Sequence, residues 1–307
     1  MMMADSSDFG PDAFLCHQVL RQMERASDGK KTVYETEFNK LCFLAYKELE
    51  EEGFADEVQL PMHWYQFGMK VWGQPDALAV LYNSDNRGTE VIPQTLSESA
   101  FSLRDELKEA IHRVARQLAG EYKFTFGTDA IVDDSYNEYA PTPFVKSYHE
   151  YRRTIEELEP GQQSLANFVE SGSAKGHIST IRPHLETLVS EYPKSTYNEA
   201  YAEFKQWDSV TRQLAKNGDV DALIELSKAF WKMFSRVELR IHHNVDIPSE
   251  TVADWIMERE QHKQAFRSQL AEHRQIAVAN REQTNHLKQV SDEYSETVRD
   301  IAHDESR

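Results

Sequence analysis

The apolar positions of this chain fall mostly at helical spacing, and the densest such pattern lies between Asp219 and His243. Val220, Leu223, Ile224, Phe230, Trp231, Phe234, Val237 and Ile241 recur at steps of three, four and seven and so share one helical face. Leu226, Ala229, Met233 and Leu239 extend that face round its flank, which predicts a core helix buried on more than one side. Asn217-Gly218-Asp219 supplies a turn and a capping side chain, and Asn244 with Pro248 marks the end.

The same spacing predicts helices over Ala13 to Arg25 and about Thr32 to Glu52, the second with a stripe of Phe38, Leu41, Cys42, Ala45, Tyr46 and Leu49. It predicts others over Phe101 to Glu121, Phe144 to Leu158, Ile178 to Tyr192 and Tyr197 to Lys216, with a short one over Gln162 to Glu170. From about Ser249 to Ile301 there is no proline or glycine. Phe266, His273, Asn280, Leu287, Tyr294 and Ile301 recur every seven residues there, with Leu270, Ala277, Thr284, Ser291 and Val298 beside them. That is a coiled-coil-like seam, suited to a long helical hairpin or to a homodimer through the C-terminal helices.

Strand signals are sparse. Ala77 to Tyr82 is apolar, Asn83 to Gly88 is a turn cluster, and Thr89 to Ile92 returns as a partner strand before Pro93. Between Val58 and Trp72, Pro61, Gly68 and Gly73 punctuate a stretch dense in aromatic rings (His63, Trp64, Tyr65, Phe67, Trp72). The predicted fold is therefore mainly α. A small α+β N-terminal unit spans 11–123; its helix, helix, hairpin order is that of a winged helix and of many other small α+β domains. The polar, proline-punctuated stretch 124–143 is expected as a connecting loop, and 144–303 as a helical bundle ending in a long helix or coiled coil.

Composition changes this picture in one respect. Asp plus Glu number 52 against 34 Lys plus Arg, a formal charge of -18 spread along the chain with no single acidic tail. Such a balance opposes phosphate binding. It also resembles proteins of salt-accumulating halophiles, since at about 1 M salt the Debye length is only ~3 Å and self-repulsion is screened. No apolar run is long enough to span a bilayer, and the acidic, polar opening Met1 to Asp5 is unlike a secretory signal. A cytoplasmic protein with no membrane partner is expected. Cys16 and Cys42 sit in helical apolar patterns and are expected as buried thiols.

Candidate chemistry is thin. The chain has no P-loop, no Gly-rich dinucleotide fingerprint, no GxSxG elbow and no HExxH, so no cofactor is expected. His242-His243 with His112 or Asp246 lacks metal-ligand spacing, and no metal is expected. Arg236 followed six residues later by His242 on a helix resembles the motif of the HEPN ribonuclease superfamily. The resemblance implies Arg and His from two protomers meeting at a dimer interface and cleaving RNA without metal, Arg stabilising the phosphorane charge and His moving protons. Arg267 with His273 and Arg281 with His286 fit the same loose spacing, and Arg236, Arg240, His242 and His243 equally suit the cationic end of a helix.

The most distinctive local text is His63-Trp64-Tyr65-Gln66-Phe67-Gly68, preceded by Phe38-Asn39-Lys40-Leu41-Cys42-Phe43-Leu44. Over residues 32–92 these stretches resemble the Panacea domain, a family tied to antitoxins, in which a similar helix is followed by an aromatic stretch ending in Gly-Pro; here Met69 replaces that proline. The resemblance implies recognition of protein or nucleic acid and not catalysis. The sequence therefore predicts a non-enzymatic regulatory or recognition protein. Its partner, a protein or a nucleic acid, would be met through His63, Trp64, Tyr65, Lys70 and Arg87, the last two reaching phosphate if the hairpin is a wing. A HEPN-like ribonuclease using Arg236 and His242, or a structural helical protein of a mobile element, are the alternatives.

Overall fold

A computed structural model describes residues 9–29, 31–123, 128–158 and 174–279, with side chains at 174–178 left aside. The short helix expected at Gln162 to Glu170 and the heptad seam beyond residue 279 lie outside the described residues. The protein is mainly helical with a small α+β portion, as its periodicity dictates. It divides into two compact units, one formed by Met1–Pro141 with Glu238–Met257, the other by Thr142–Val237 with Glu258–Arg307.

The first unit is built on α1 (Pro11–Ala26), α2 (Glu35–Glu51) and α3 (Asp105–Tyr122). Pro11 opens α1, where its missing N–H costs nothing. Phe14 lies edge-on to Phe101 at 5.1 Å and to His112 at 5.3 Å, locking α1 to α3. α2 is buried on all sides from Glu37 to Tyr46, because Phe43 and Leu44 add a second apolar surface beside the expected stripe. The thiols of Cys16 and Cys42 are free, buried and 3.8 Å apart.

Two hairpins follow α2, where one was expected. The first, β1 (Met62–Tyr65) with β2 (Gly68–Val71), occupies the punctuated aromatic stretch, Met62 pairing with Val71 and Tyr65 with Gly68. The second is the expected one, β3 (Val80–Asp85) with β4 (Gly88–Pro93); its strand starts three residues late because Pro75–Leu78 forms a 3₁₀ turn and Ala79 adopts a positive φ of 55°. The expected connecting loop needs a correction. Within 124–143, Asp129–Tyr139 is a helix, α4, whose Ile131, Val132, Ser135 and Tyr136 are buried. Tyr136 packs at 5.3 Å on Trp64, so tertiary contact holds a helix that its acidic, weakly striped sequence does not announce.

The second unit holds α5 (Pro143–Glu156), α6 (Ala174–Glu191), α7 (Tyr201–Asn217) and α8 (Val220–Phe234). Thr142 caps α5 by accepting from the Val145 N–H, and Asp219 caps α8 by accepting from Ala222. α8 is the expected core helix. Phe230 meets Tyr148, Trp207 and Phe204 within 5.9 Å, and Tyr148 stacks on Trp231 at 4.7 Å. The hydroxyls of Tyr148 and Tyr151 both reach Ser227 at 3.0 Å, so the buried phenols stay hydrogen-bonded.

The chain stays helical to His242, as expected, but changes its winding on the way. Ser235–Leu239 forms a π-type turn, followed by the short α9 (Arg240–His242) and by β5 (Asn244–Val245), which pairs with β1 in the first unit. In the proline- and glycine-free stretch from Ser249, α10 (Ser249–Met257) ends at a turn at Glu258, and α11 runs over 259–279. The first two heptads of the seam are buried within the chain. Phe266, Leu270 and Ala277 are each 2% exposed, and Phe266 packs edge-on against Phe230 at 5.8 Å. Over 259–279 the seam face itself is thus occupied by the chain's own core.

Candidate functional site

The residues expected to bind a partner separate into buried and exposed sets. His63 and Trp64 belong to the core. The Trp64 N–H donates to the His243 carbonyl at 2.8 Å. His63 lies 4.9 Å from the Trp255 ring, and its Nδ1 has no hydrogen-bond partner among the described residues. Burial, aided by the charges of Lys70, Arg240 and Lys40, pushes its pKa down to about 3, so it is a neutral core ring. Neither side chain is available to a partner.

Tyr65 and Lys70 instead border a cleft of ≈ 170 Å³ between the start of α2 and the β1–β2 hairpin. Glu35, Thr36, Asn39, Lys40, Phe67, Gly68 and Met69 complete its lining. Lys70 is paired with Glu35 at 2.8 Å across the rim. Asn39 is committed to the fold, donating to the Glu35 carbonyl at 2.6 Å and accepting from the Val71 N–H at 2.8 Å.

Lys40 is the residue that sequence reasoning missed. It is 1% exposed, and its Nζ donates to the Met69 carbonyl at 2.5 Å. Among the described residues no carboxylate is paired with it. Burial, with a smaller push from Lys70, lowers its pKa to about 7. Gly68, at φ +86°, makes room for it: a Cβ there would fall 3.1 Å from the Lys40 Nζ and 3.4 Å from the buried Ser135 Oγ, which itself lacks a partner among the described residues. The signal was present in the sequence, since Lys40 precedes Phe43 and Leu44 by one turn and so shares their side of α2.

A second surface lies on the β3–β4 hairpin. Asp85 and Gly88 close a two-residue turn, which makes Asp85, Asn83 and Leu81 the residues bonded to β4. The main-chain groups of Tyr82 and Ser84 therefore point outward along the edge of β3, and no main-chain partner meets them among the described residues. The far edge of β4 is covered, because the Val91 N–H donates to the Val33 carbonyl at 2.9 Å. Val80 and Val91 turn into the core, while Leu81 and Ile92, directly opposite each other, remain 48% and 38% exposed. Around them stand Asp85 and Glu90. Arg87, at the hairpin tip, is folded back on Asp85, with its Nη2 3.0 Å from Oδ2.

The two residues of the nuclease-like spacing fall in different units of the fold. Arg236, in the π-type turn, borders a cleft of ≈ 230 Å³ in the second unit with Lys232, Gln261 and His262. His242 belongs to the first unit and pairs with the buried Glu238 at 3.1 Å. The π-type turn breaks the α-helical phase on which the six-residue interval was read. A wider opening of ≈ 730 Å³ between α6 and α7 carries Arg182 and Arg212, each already paired at 2.8 Å with Glu186 and Asp208 respectively. Among the described residues no group of three or more His, Cys, Asp or Glu is placed to hold a metal, and no helix is long and apolar enough to cross a membrane.

Comparison with protein-family models, with curated proteins and with solved structures gives no match.

Proposed function

We propose that this chain is a recognition protein that captures an extended segment of a partner protein on the free edge of β3. The observation that carries the reading is the combination of outward main-chain groups at Tyr82 and Ser84 with the exposed pair Leu81 and Ile92. Folded proteins normally blunt such an edge with lysine, proline or a bulge, and one left open with apolar side chains beside it is a template for strand addition. The local charge selects the partner. Asp85 and Arg87 neutralise each other at the tip, which leaves Glu90 as the uncompensated charge beside the apolar pair. A segment with alternating apolar residues and interspersed Lys or Arg complements that surface.

Nucleic acid is disfavoured by the same charges, since Lys70 and Arg87 are each paired with a carboxylate and the chain carries a net charge of -18. The resemblance of residues 32–92 to the Panacea domain implies a recognition role, and the hairpin lies within those residues.

The test is a screen of the full chain against a random peptide library, followed by hydrogen exchange of the best binder's complex. Enrichment of basic, alternating sequences with new amide protection at Tyr82 and Ser84, lost in Tyr82→Pro, is the expected result. Protection elsewhere, or tighter retention of single- or double-stranded nucleic acid than of any peptide, overturns the reading.

A further inference from the structure

Lys40 raises a question that the hairpin does not answer. A buried ammonium normally has a carboxylate or several acceptors beside it, because removing an ion from water costs several kcal/mol. Among the described residues Lys40 has one acceptor, the Met69 carbonyl, although acids outnumber bases in this chain by 52 to 34. The titratable groups facing it are few. Lys70 and Glu35 lie across the cleft and pair with each other, Tyr65 lines the wall, and His63 is neutral. Counting Lys40, Lys70 and Glu35, the cleft lining holds one positive charge too many.

The lining has a second character. Tyr65 and Phe67 bring apolar surface to a lining that also holds Thr36, Lys40 and Lys70, and Phe67 is 51% exposed at the rim. At ≈ 170 Å³ the cleft is smaller than the ~300–1,000 Å³ that holds drug-sized ligands. Lysines offer point charges and no planar fork, so the head group is fixed by charge more than by shape.

We propose that this cleft binds a small organic acid, its carboxylate neutralising Lys40 and its apolar body lying against Tyr65 and Phe67. The occupant supplies the counter-charge that the fold withholds. Only the protonated amine attracts a carboxylate, and burial brings the free amine's pKa to about 7. Affinity is therefore highest below that pH and falls by about tenfold for each unit above it, while a proton is taken up on binding.

The experiment is calorimetric titration of the full chain with benzoate, with the neutral isostere benzamide and with inorganic phosphate, from pH 6 to 8.5 in two buffers of different ionisation enthalpy. The expected result is that benzoate binds with proton uptake above pH 7, while benzamide and phosphate bind at least tenfold more weakly. Lys40→Met loses the benzoate site with its circular dichroism unchanged. Phe67→Ser, an exposed rim change that leaves the lysine in place, weakens benzoate without altering proton uptake. Equal affinity for benzamide, binding that is flat with pH, or benzoate binding that survives in Lys40→Met overturns the proposal. Phosphate binding as tight as benzoate overturns the organic character of the ligand. These outcomes are independent of peptide capture on β3.

Discussion

At the scale of single residues, Lys40 decides most. A lysine whose pKa falls on folding destabilises the native state wherever its amine is charged. Below about pH 7 both folded and unfolded chains hold the proton and the penalty is complete. Above it the native state sheds the proton while the unfolded chain keeps it up to about pH 10.4. The unfolded chain then binds more protons, so stability rises with pH across that window, by at most about 5 kcal/mol. Lys40→Met removes a buried charge at nearly constant volume. It is expected to be more stable than the wild type at pH 6, by about 1–3 kcal/mol, with the difference closing and then changing sign towards pH 10. Urea midpoints of both proteins measured between pH 6 and 10 check this. A gap that stays constant with pH would mean that the amine does not titrate in that range in the native state.

At the scale of elements, the helices were legible and the short strands were not, for physical reasons that particular segments show. α8 repeats its apolar face over four turns, so its periodicity outweighs every local ambiguity. β1 and β2 have four residues each, too few for alternation to register, and β1 is buried at Met62, His63 and Trp64 in succession. Such strands are held by α2 and by register, neither of which is written in their own sequence. Lys40 shares the helical side of Phe43 and Leu44, which is legible, but the hairpin that completes its burial is not. The seam on α11 was legible as a heptad pattern, but only the structure shows that it meets α8.

That seam also carries an ion pair whose two halves are not equivalent. Glu203 on α7 is 1% exposed and accepts from Arg267 on α11, with Nε at 2.9 Å, whereas the Arg267 side chain is 45% exposed. Removing the arginine strands a buried carboxylate, while removing the carboxylate leaves a cation that water can reach. Arg267→Ala is therefore expected to cost about 3 kcal/mol and Glu203→Gln about 1 kcal/mol or less, read from chemical denaturation at neutral pH. The reverse order would show that Glu203 is satisfied in some other way.

At the scale of the whole molecule, chain order and spatial organisation diverge. The path passes between the two units after Pro141, after Val237 and after Met257. The second passage falls in the π-type turn, in the middle of the sequence's most continuous apolar pattern, where no composition shift could signal it. What composition does describe at this scale is charge. Surface ion pairs such as Arg113 with Glu52 and Arg104 with Glu57 are worth about 0–1 kcal/mol each and weaken in salt. The repulsion behind a net charge of -18 also weakens, over a Debye length that shrinks from ~10 Å at 0.1 M to ~3 Å at 1 M. Acids exceed bases by 18, so relief of repulsion is expected to win. The thermal midpoint should then rise from 0.1 M to 2 M KCl, most of the gain arriving by about 1 M, where screening is nearly complete. Potassium chloride is the right salt because sulfate would strengthen apolar burial in any protein. A midpoint that falls with KCl would place the balance with the ion pairs, and the acidic surplus would then have nothing to do with life in concentrated salt.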